Sequence, residues 1–133
     1  MKRLNPSILA LTLIFSQGAF AHTDEVLDKT PAPHGGQLRM AGMHHLELVV
    51  KPNEIAVYLT DHAGKSQTAE GATGTATVLS GKTKTSVQLA PAADNVLKGS
   101  GKFDLAPDMK VVISVTLPGQ APLQARFTPL QKK

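Results

Sequence analysis

The residues of this chain that could bind a metal ion are concentrated in one short region. All five histidines lie between His22 and His62, and Met40 and Met43 lie among them. Imidazole nitrogen suits zinc, copper and nickel, whereas thioether sulfur favours Cu(I). The region therefore predicts a site for a copper or zinc-like ion, and the mixture of ligand types leans towards copper. No organic cofactor is expected.

The first residues predict export through a cleaved signal peptide. Met1-Lys2-Arg3 is a basic start, residues 8–15 form an apolar core, and Ala19-Phe20-Ala21 is a small-residue cleavage site. Cleavage after Ala21 would leave a chain that begins with His22. The apolar run is shorter than a membrane span of about 20 residues, so no membrane insertion is expected after cleavage.

Composition excludes several classes of protein. The chain has no cysteine, which removes disulfides, thiolate nucleophiles and cysteine-rich metal sites. Loss of Lys2 and Arg3 lowers the basic count from 14 to 12 against 10 acidic residues, and the basic residues are scattered, so nucleic acid is not an expected partner. Neither a G-x-S-x-G nor an H-E-x-x-H motif occurs, and an enzyme is not expected.

Alternating apolar residues predict an all-β chain. Residues 44–50 and 55–60 alternate on either side of the turn residues Lys51-Pro52-Asn53-Glu54, which is the pattern of a hairpin. Further strands are predicted at 75–79, 83–89, 96–98, 102–105, 111–117 and 123–128. Seven or eight short strands with regularly spaced turns favour a single antiparallel β-sandwich of immunoglobulin-like type.

The predicted organisation has four parts. Residues 1–21 form the signal peptide, and residues 22–35, acidic and then proline-rich, form a flexible N-terminal arm. Residues 36–130 form the β-sandwich domain, and residues 131–133 form a tail.

The predicted hairpin brings distant residues together. With residues 52–53 as the tip, three apolar pairs share one face: Val50 with Ile55, Leu48 with Val57 and Leu46 with Leu59. The same register places His44 opposite Asp61 and Met43 opposite His62 at the open end of the hairpin, within about 5 Å across the ladder. A slip of two residues would instead set His45 opposite His62.

Alternation limits which side chains can share one ion. His44 and His45 cannot both face the same way in a regular strand. The expected set is therefore Met43, one of these two histidines and His62, with Met40 and His34 reachable from the preceding segment. The candidate ligands are His34, Met40, Met43, His44, His45 and His62. Asp61 and His22 are ranked below them. Nothing in the sequence of the arm holds His22 near the others.

Structural roles compete with metal binding for the same residues. Met40 and Met43 could equally fill gaps in the core. His34-Gly35-Gly36 could be a turn into the first strand, and Asp61-His62-Ala63-Gly64 also fits a turn in which glycine supplies positive φ. The metal hypothesis depends on the conjunction of these residues at one end of the hairpin.

Five segments of the chain carry a resemblance to a known family. They are Pro33-His34-Gly35-Gly36, His45-Leu46-Glu47-Leu48-Val49, Val57-Tyr58-Leu59-Thr60-Asp61-His62, Asn95-Val96-Leu97-Lys98-Gly99 and Phe103-Asp104-Leu105-Ala106-Pro107. These segments resemble small periplasmic proteins found beside, or fused to, adaptor subunits of heavy-metal efflux systems of the resistance-nodulation-division type. The resemblance covers most of the chain after residue 21.

The resemblance implies a periplasmic location and an efflux adaptor as partner. The positions that match the recurrent pattern are His34, His45, Tyr58, Asp61 and His62, whereas Met40, Met43 and His44 lie less clearly within it. The leading hypothesis is a periplasmic metal-binding protein that sequesters copper or a zinc-like ion or delivers it to an efflux system. The alternative is a metal-free β-sandwich module that docks on an adaptor or another envelope protein.

Overall fold

The computed structural model describes residues 24–131; the predicted signal peptide, His22 and residues 132–133 lie outside this range. Within it the chain forms one short helix and eight strands. The elements are α1 (Asp24–Lys29), β1 (Gln37–Ala41), β2 (His44–Lys51), β3 (Glu54–Asp61), β4 (Thr73–Ser80), β5 (Thr83–Ala93), β6 (Val96–Ser100), β7 (Lys110–Thr116) and β8 (Leu123–Phe127).

The eight strands pair antiparallel in the order β1-β2-β3-β6-β5-β4-β7-β8. Strand β5 joins the two halves, because it pairs with β4 as far as Leu89 and with β6 from Ala90 onwards. The register shifts between Pro91 and Ala93, where a proline without an N–H is tolerated. The prediction of an antiparallel all-β fold with seven or eight strands is confirmed, and the sandwich arrangement stays a prediction.

The core is formed by alternate residues of the strands. Leu46, Ile55, Val57 and Ile113 are fully buried, and Phe127 from the last strand is 1% exposed. Along these strands every second side chain faces the core, because successive side chains of a strand point to opposite faces of the sheet. Burial of such side chains is the main favourable term that holds a cysteine-free chain together.

The β2–β3 hairpin has the predicted register. Val50 pairs with Ile55 beside the tip, and His44 pairs with Asp61 at the open end. The alternative with a slip of two residues is wrong. Asn53 in the tip has φ 63°, a conformation that asparagine tolerates better than most residues.

The prediction of a strand at residues 102–105 is wrong, because this segment has no regular secondary structure. Its carbonyl groups are satisfied by side chains instead of a ladder: the Ser80 hydroxyl donates to the Asp104 carbonyl at 2.8 Å and the Thr85 hydroxyl to the Lys102 carbonyl at 3.2 Å. Phe103 packs against the core and holds the segment in place. The packing of Phe103 and the hydrogen bonds from Ser80 and Thr85 therefore hold this segment without strand pairing.

Part of the N-terminal arm, residues 22–35, has regular structure. Residues 24–29 form α1, and Leu27 in this helix is 3% exposed. The guanidinium of Arg39 in β1 lies 2.9 Å from Asp28 and 3.5 Å from Asp24, which attaches the helix to the edge strand. No helix within residues 24–131 is both long and apolar enough to cross a membrane.

Replacement of Leu27 should show how firmly α1 is docked. Leu27→Ala removes a buried side chain from a short helix, and we expect the free energy of unfolding to fall by about 2 kcal/mol or more. Val26, its neighbour on the same helix, is 51% exposed, so Val26→Ala should change stability by less than about 0.5 kcal/mol. Urea unfolding of both variants measures the difference, and equal effects would contradict the docked helix.

Candidate functional site

Two of the predicted metal ligands meet at one end of the sheet. His45 lies on the face of β2 opposite the core residue Leu46, and His62 follows the last residue of β3. Their ring centroids are 5.7 Å apart with an angle of 42° between the planes. His45 is 9% exposed and His62 is half-buried. The structure therefore answers which of the two adjacent histidines accompanies His62: it is His45.

His44 faces the other side of the sheet. It pairs with Ala41 of β1 and with Asp61 of β3, and facing residues of an antiparallel ladder share one face. Its Nδ1 atom is buried and has no hydrogen-bond partner among the described residues. His44 is thus separated from the pair by the thickness of the sheet, as alternation requires.

Asp61 is engaged by its own turn. Its Oδ1 atom accepts hydrogen bonds from the backbone N–H groups of Ala63 and Lys65, each at 2.9 Å. The Asp61 carbonyl accepts a third bond from Gly64, which has φ 84°. The carboxylate therefore shapes the segment that carries His62, and the turn proposed for these residues is present.

The two methionines of the region belong to β1 and to the turn that follows it. Met40 in β1 is the direct partner of His45 across the ladder, so both side chains start on the same face. Met43 lies in the two-residue turn between β1 and β2, next to Gly42 with φ 57°, and is 72% exposed. Neither belongs to the buried core cluster.

Glu47 is a buried carboxylate two residues from His45 on the same face. It is 3% exposed, and three N–H groups donate to it. The backbone N–H groups of His34 and Gly36 donate to Oε2, each at 2.9 Å, and Nδ1 of His34 lies 2.8 Å from Oε1. A carboxylate can remain in such a place because charge-assisted hydrogen bonds replace its water.

His34 covers Glu47 through the segment of residues 33–36. Its ring stacks on Tyr58 with 3.6 Å between centroids and 10° between planes, and Tyr58 is the direct partner of Glu47 in the ladder. A Cβ atom at Gly36 would overlap the carbonyl oxygen of Leu48, so only glycine lets this segment approach the strand.

The contact with Glu47 sets the tautomer of His34. A carboxylate only accepts hydrogen bonds, so Nδ1 carries the proton and Nε2 holds the lone pair when the ring is neutral. Metal-bound histidines commonly have such a carboxylate behind them. One imidazole alone makes a weak site, however, and His34 stacks on Tyr58 while His45 contacts His62.

The spacing of the His45 and His62 rings suits a shared ion. With nitrogen–metal bonds of about 2.0 to 2.1 Å, the ion lies about 3 Å from each ring centre, so two rings on one ion have centroids about 5 to 6 Å apart. The observed 5.7 Å falls in that range. Among residues 24–131, no three or more histidine, aspartate or glutamate side chains converge to form a metal-binding group.

Comparison of the chain with protein-family models, with curated proteins and with solved structures finds no match. The geometry of the described residues therefore carries the functional argument, and the resemblance to efflux-associated proteins stays a prediction.

Sequence reasoning missed the role of Glu47. Its position predicts a strand residue on the face away from the core, where a carboxylate is normally hydrated. Only the segment of residues 34–36, which crosses this face, makes the position buried. The one available signal is His34-Gly35-Gly36, whose two glycines permit a close approach to a strand, but the sequence does not name the strand.

Replacement of Glu47 tests the hydrogen-bond assignment. In Glu47→Gln the amide oxygen can still accept the two backbone bonds, which turns the NH2 group towards His34. Nδ1 of His34 must then become the acceptor, so we expect the ring to change from the Nδ1–H to the Nε2–H tautomer. Side-chain ¹⁵N NMR at a pH where the ring is neutral distinguishes the two. Glu54→Gln, at the other end of the hairpin, should leave the tautomer unchanged, and an Nε2–H tautomer in the unmodified protein would contradict the assignment.

Proposed function

We propose that this protein binds a transition-metal ion of copper or zinc type in the periplasm, and that it sequesters the ion or delivers it to an efflux system. The observation that carries the proposal is the contact between His45 and His62 at a ring spacing suited to one ion. His62 is half-buried and not enclosed, so an ion held by the two imidazoles would stay accessible for transfer to another protein. That accessibility suits a carrier better than a closed structural site.

The fold supports this role by fixing the two imidazoles from different elements. His45 is held by the β1–β2 and β2–β3 ladders, and His62 is held by the turn that the Asp61 carboxylate organises. Preorganised ligands lose little conformational entropy when they bind. Imidazole ligates only in its neutral form, so protons compete with the ion and affinity should be lower in acidic solution.

The proposed periplasmic location and the proposed adaptor partner are supported by the amino-acid sequence alone. The basic start, the apolar segment and the Ala19-Phe20-Ala21 site favour export, and the resemblance to efflux-associated proteins favours an adaptor subunit as the recipient. Absence of cysteine suits an exported metal carrier, because its ligands cannot be lost to disulfide formation.

Removal of both imidazoles should abolish the site. We expect the purified protein to bind zinc or copper more tightly than about millimolar, and the double variant His45→Ala/His62→Ala to bind at least about tenfold more weakly. Calorimetric titration measures both, and circular dichroism checks that the variant folds.

His44→Ala is the matched control, because His44 is the sequence neighbour of His45 on the opposite face. It should leave the affinity unchanged. If the double variant binds as tightly as the unmodified protein, the proposed function fails, and that result would favour the metal-free interaction module.

A further inference from the structure

We infer that the ion is Cu(I), and that the thioethers of Met40 and Met43 complete the site begun by His45 and His62. This inference rests on the proposed function and names its substrate. It follows from the position of the two methionines, from the exposure of one of them and from the placement of the two nearby carboxylates.

Met40 is placed by the β1–β2 ladder. It is the direct partner of His45, and direct partners in an antiparallel ladder have Cβ atoms about 4.5 to 5.5 Å apart. The methionine side chain is unbranched and has three rotatable bonds, so its sulfur can reach an ion bound at the ring of its partner. Met40 is half-buried, which leaves the sulfur partly accessible.

Met43 has no packing role that explains it. With 72% of its surface exposed, it is the most exposed large apolar residue in the described part of the chain, ahead of Val26 at 51% and Leu79 at 40%. It lies in the β1–β2 turn directly before His44, and His44 pairs with Asp61, the residue directly before His62. A methionine kept in water at the end of the hairpin that carries the imidazole pair is explained if its sulfur is a ligand.

The two nearby carboxylates are held in other arrangements. Oδ1 of Asp61 accepts two backbone hydrogen bonds in its turn, and Asp61 pairs with His44, so its side chain starts on the face away from His45. Both oxygens of Glu47 accept bonds from residues 34–36. The remaining donors are neutral nitrogens and soft sulfurs. A monovalent, soft ion such as Cu(I) fits that set, whereas zinc and Cu(II) sites normally recruit carboxylates or more imidazoles.

Substitution of the methionines tests the inference. Met→Leu keeps the volume and removes the sulfur, so Met40→Leu/Met43→Leu should weaken Cu(I) binding at least about tenfold while any zinc affinity, which depends on the imidazoles, stays within about twofold. Cu(I) affinity is measured without oxygen by competition with bicinchoninate, and zinc affinity by calorimetry. Each single variant should weaken Cu(I) binding by less than the double variant.

Met109→Leu is the matched control, because Met109 is fully buried in the core and lies in the segment before β7, away from the histidine pair in sequence. It should leave both affinities unchanged. X-ray absorption of the Cu(I)-loaded protein should show sulfur and nitrogen neighbours, and the sulfur signal should disappear in the double methionine variant.

The outcomes separate this inference from the proposed function. If the double methionine variant keeps its full Cu(I) affinity, or if the Cu(I) spectrum shows no sulfur, the inference is overturned while metal binding by His45 and His62 can still stand. If removal of the two histidines changes neither zinc nor Cu(I) binding, the proposed function fails and the inference fails with it.

Discussion

The register of the β2–β3 ladder is the constraint on which the rest of the structure depends. Eight consecutive residue pairs, from Lys51 with Glu54 to His44 with Asp61, fix which side chains face the core. A slip of one residue would move Leu46 and its neighbours to the outer face and bring His45 and Glu47 inside. The same pairs that bury the apolar residues therefore determine that His45 lies beside His62 and that His44 does not.

The outer face of this hairpin is itself partly covered. Residues 34–36 lie across it, where they donate three hydrogen bonds to Glu47 and stack His34 on Tyr58. A buried carboxylate with fewer donors would be strongly destabilising, so the segment and the glutamate depend on each other. This arrangement ties the segment before β1 to the middle of the sheet, and it occupies a carboxylate that would otherwise lie free two residues from His45.

Features formed by residues close together in the sequence could be predicted, whereas contacts between segments far apart in the sequence could not. The β2–β3 hairpin was predictable because Pro52-Asn53 marks the tip and the flanking apolar residues alternate, so one register satisfies both signals. The opposition of His44 and His45 followed from the same alternation. Strand β1 was not predicted, because Arg39 occupies a buried position that a strand pattern reserves for apolar residues, and only the ion pairs with α1 allow it there. The contact between His34 and Glu47 joins residues 13 positions apart, and no local sequence pattern specifies that the segment of residues 34–36 crosses this strand.

The central claim is that His45 and His62 bind the same ion. The most direct measurement follows the side-chain ¹⁵N signals of all the histidines while a diamagnetic ion, Zn²⁺ or Cu(I) under anaerobic conditions, is added up to one equivalent. The account predicts that one nitrogen of His45 and one of His62 shift together and reach their end points at the same ratio, while those of His34 and His44 stay in place. Shifts of His45 and His62 at different ratios, or a first equivalent that moves other histidines alone, would contradict it.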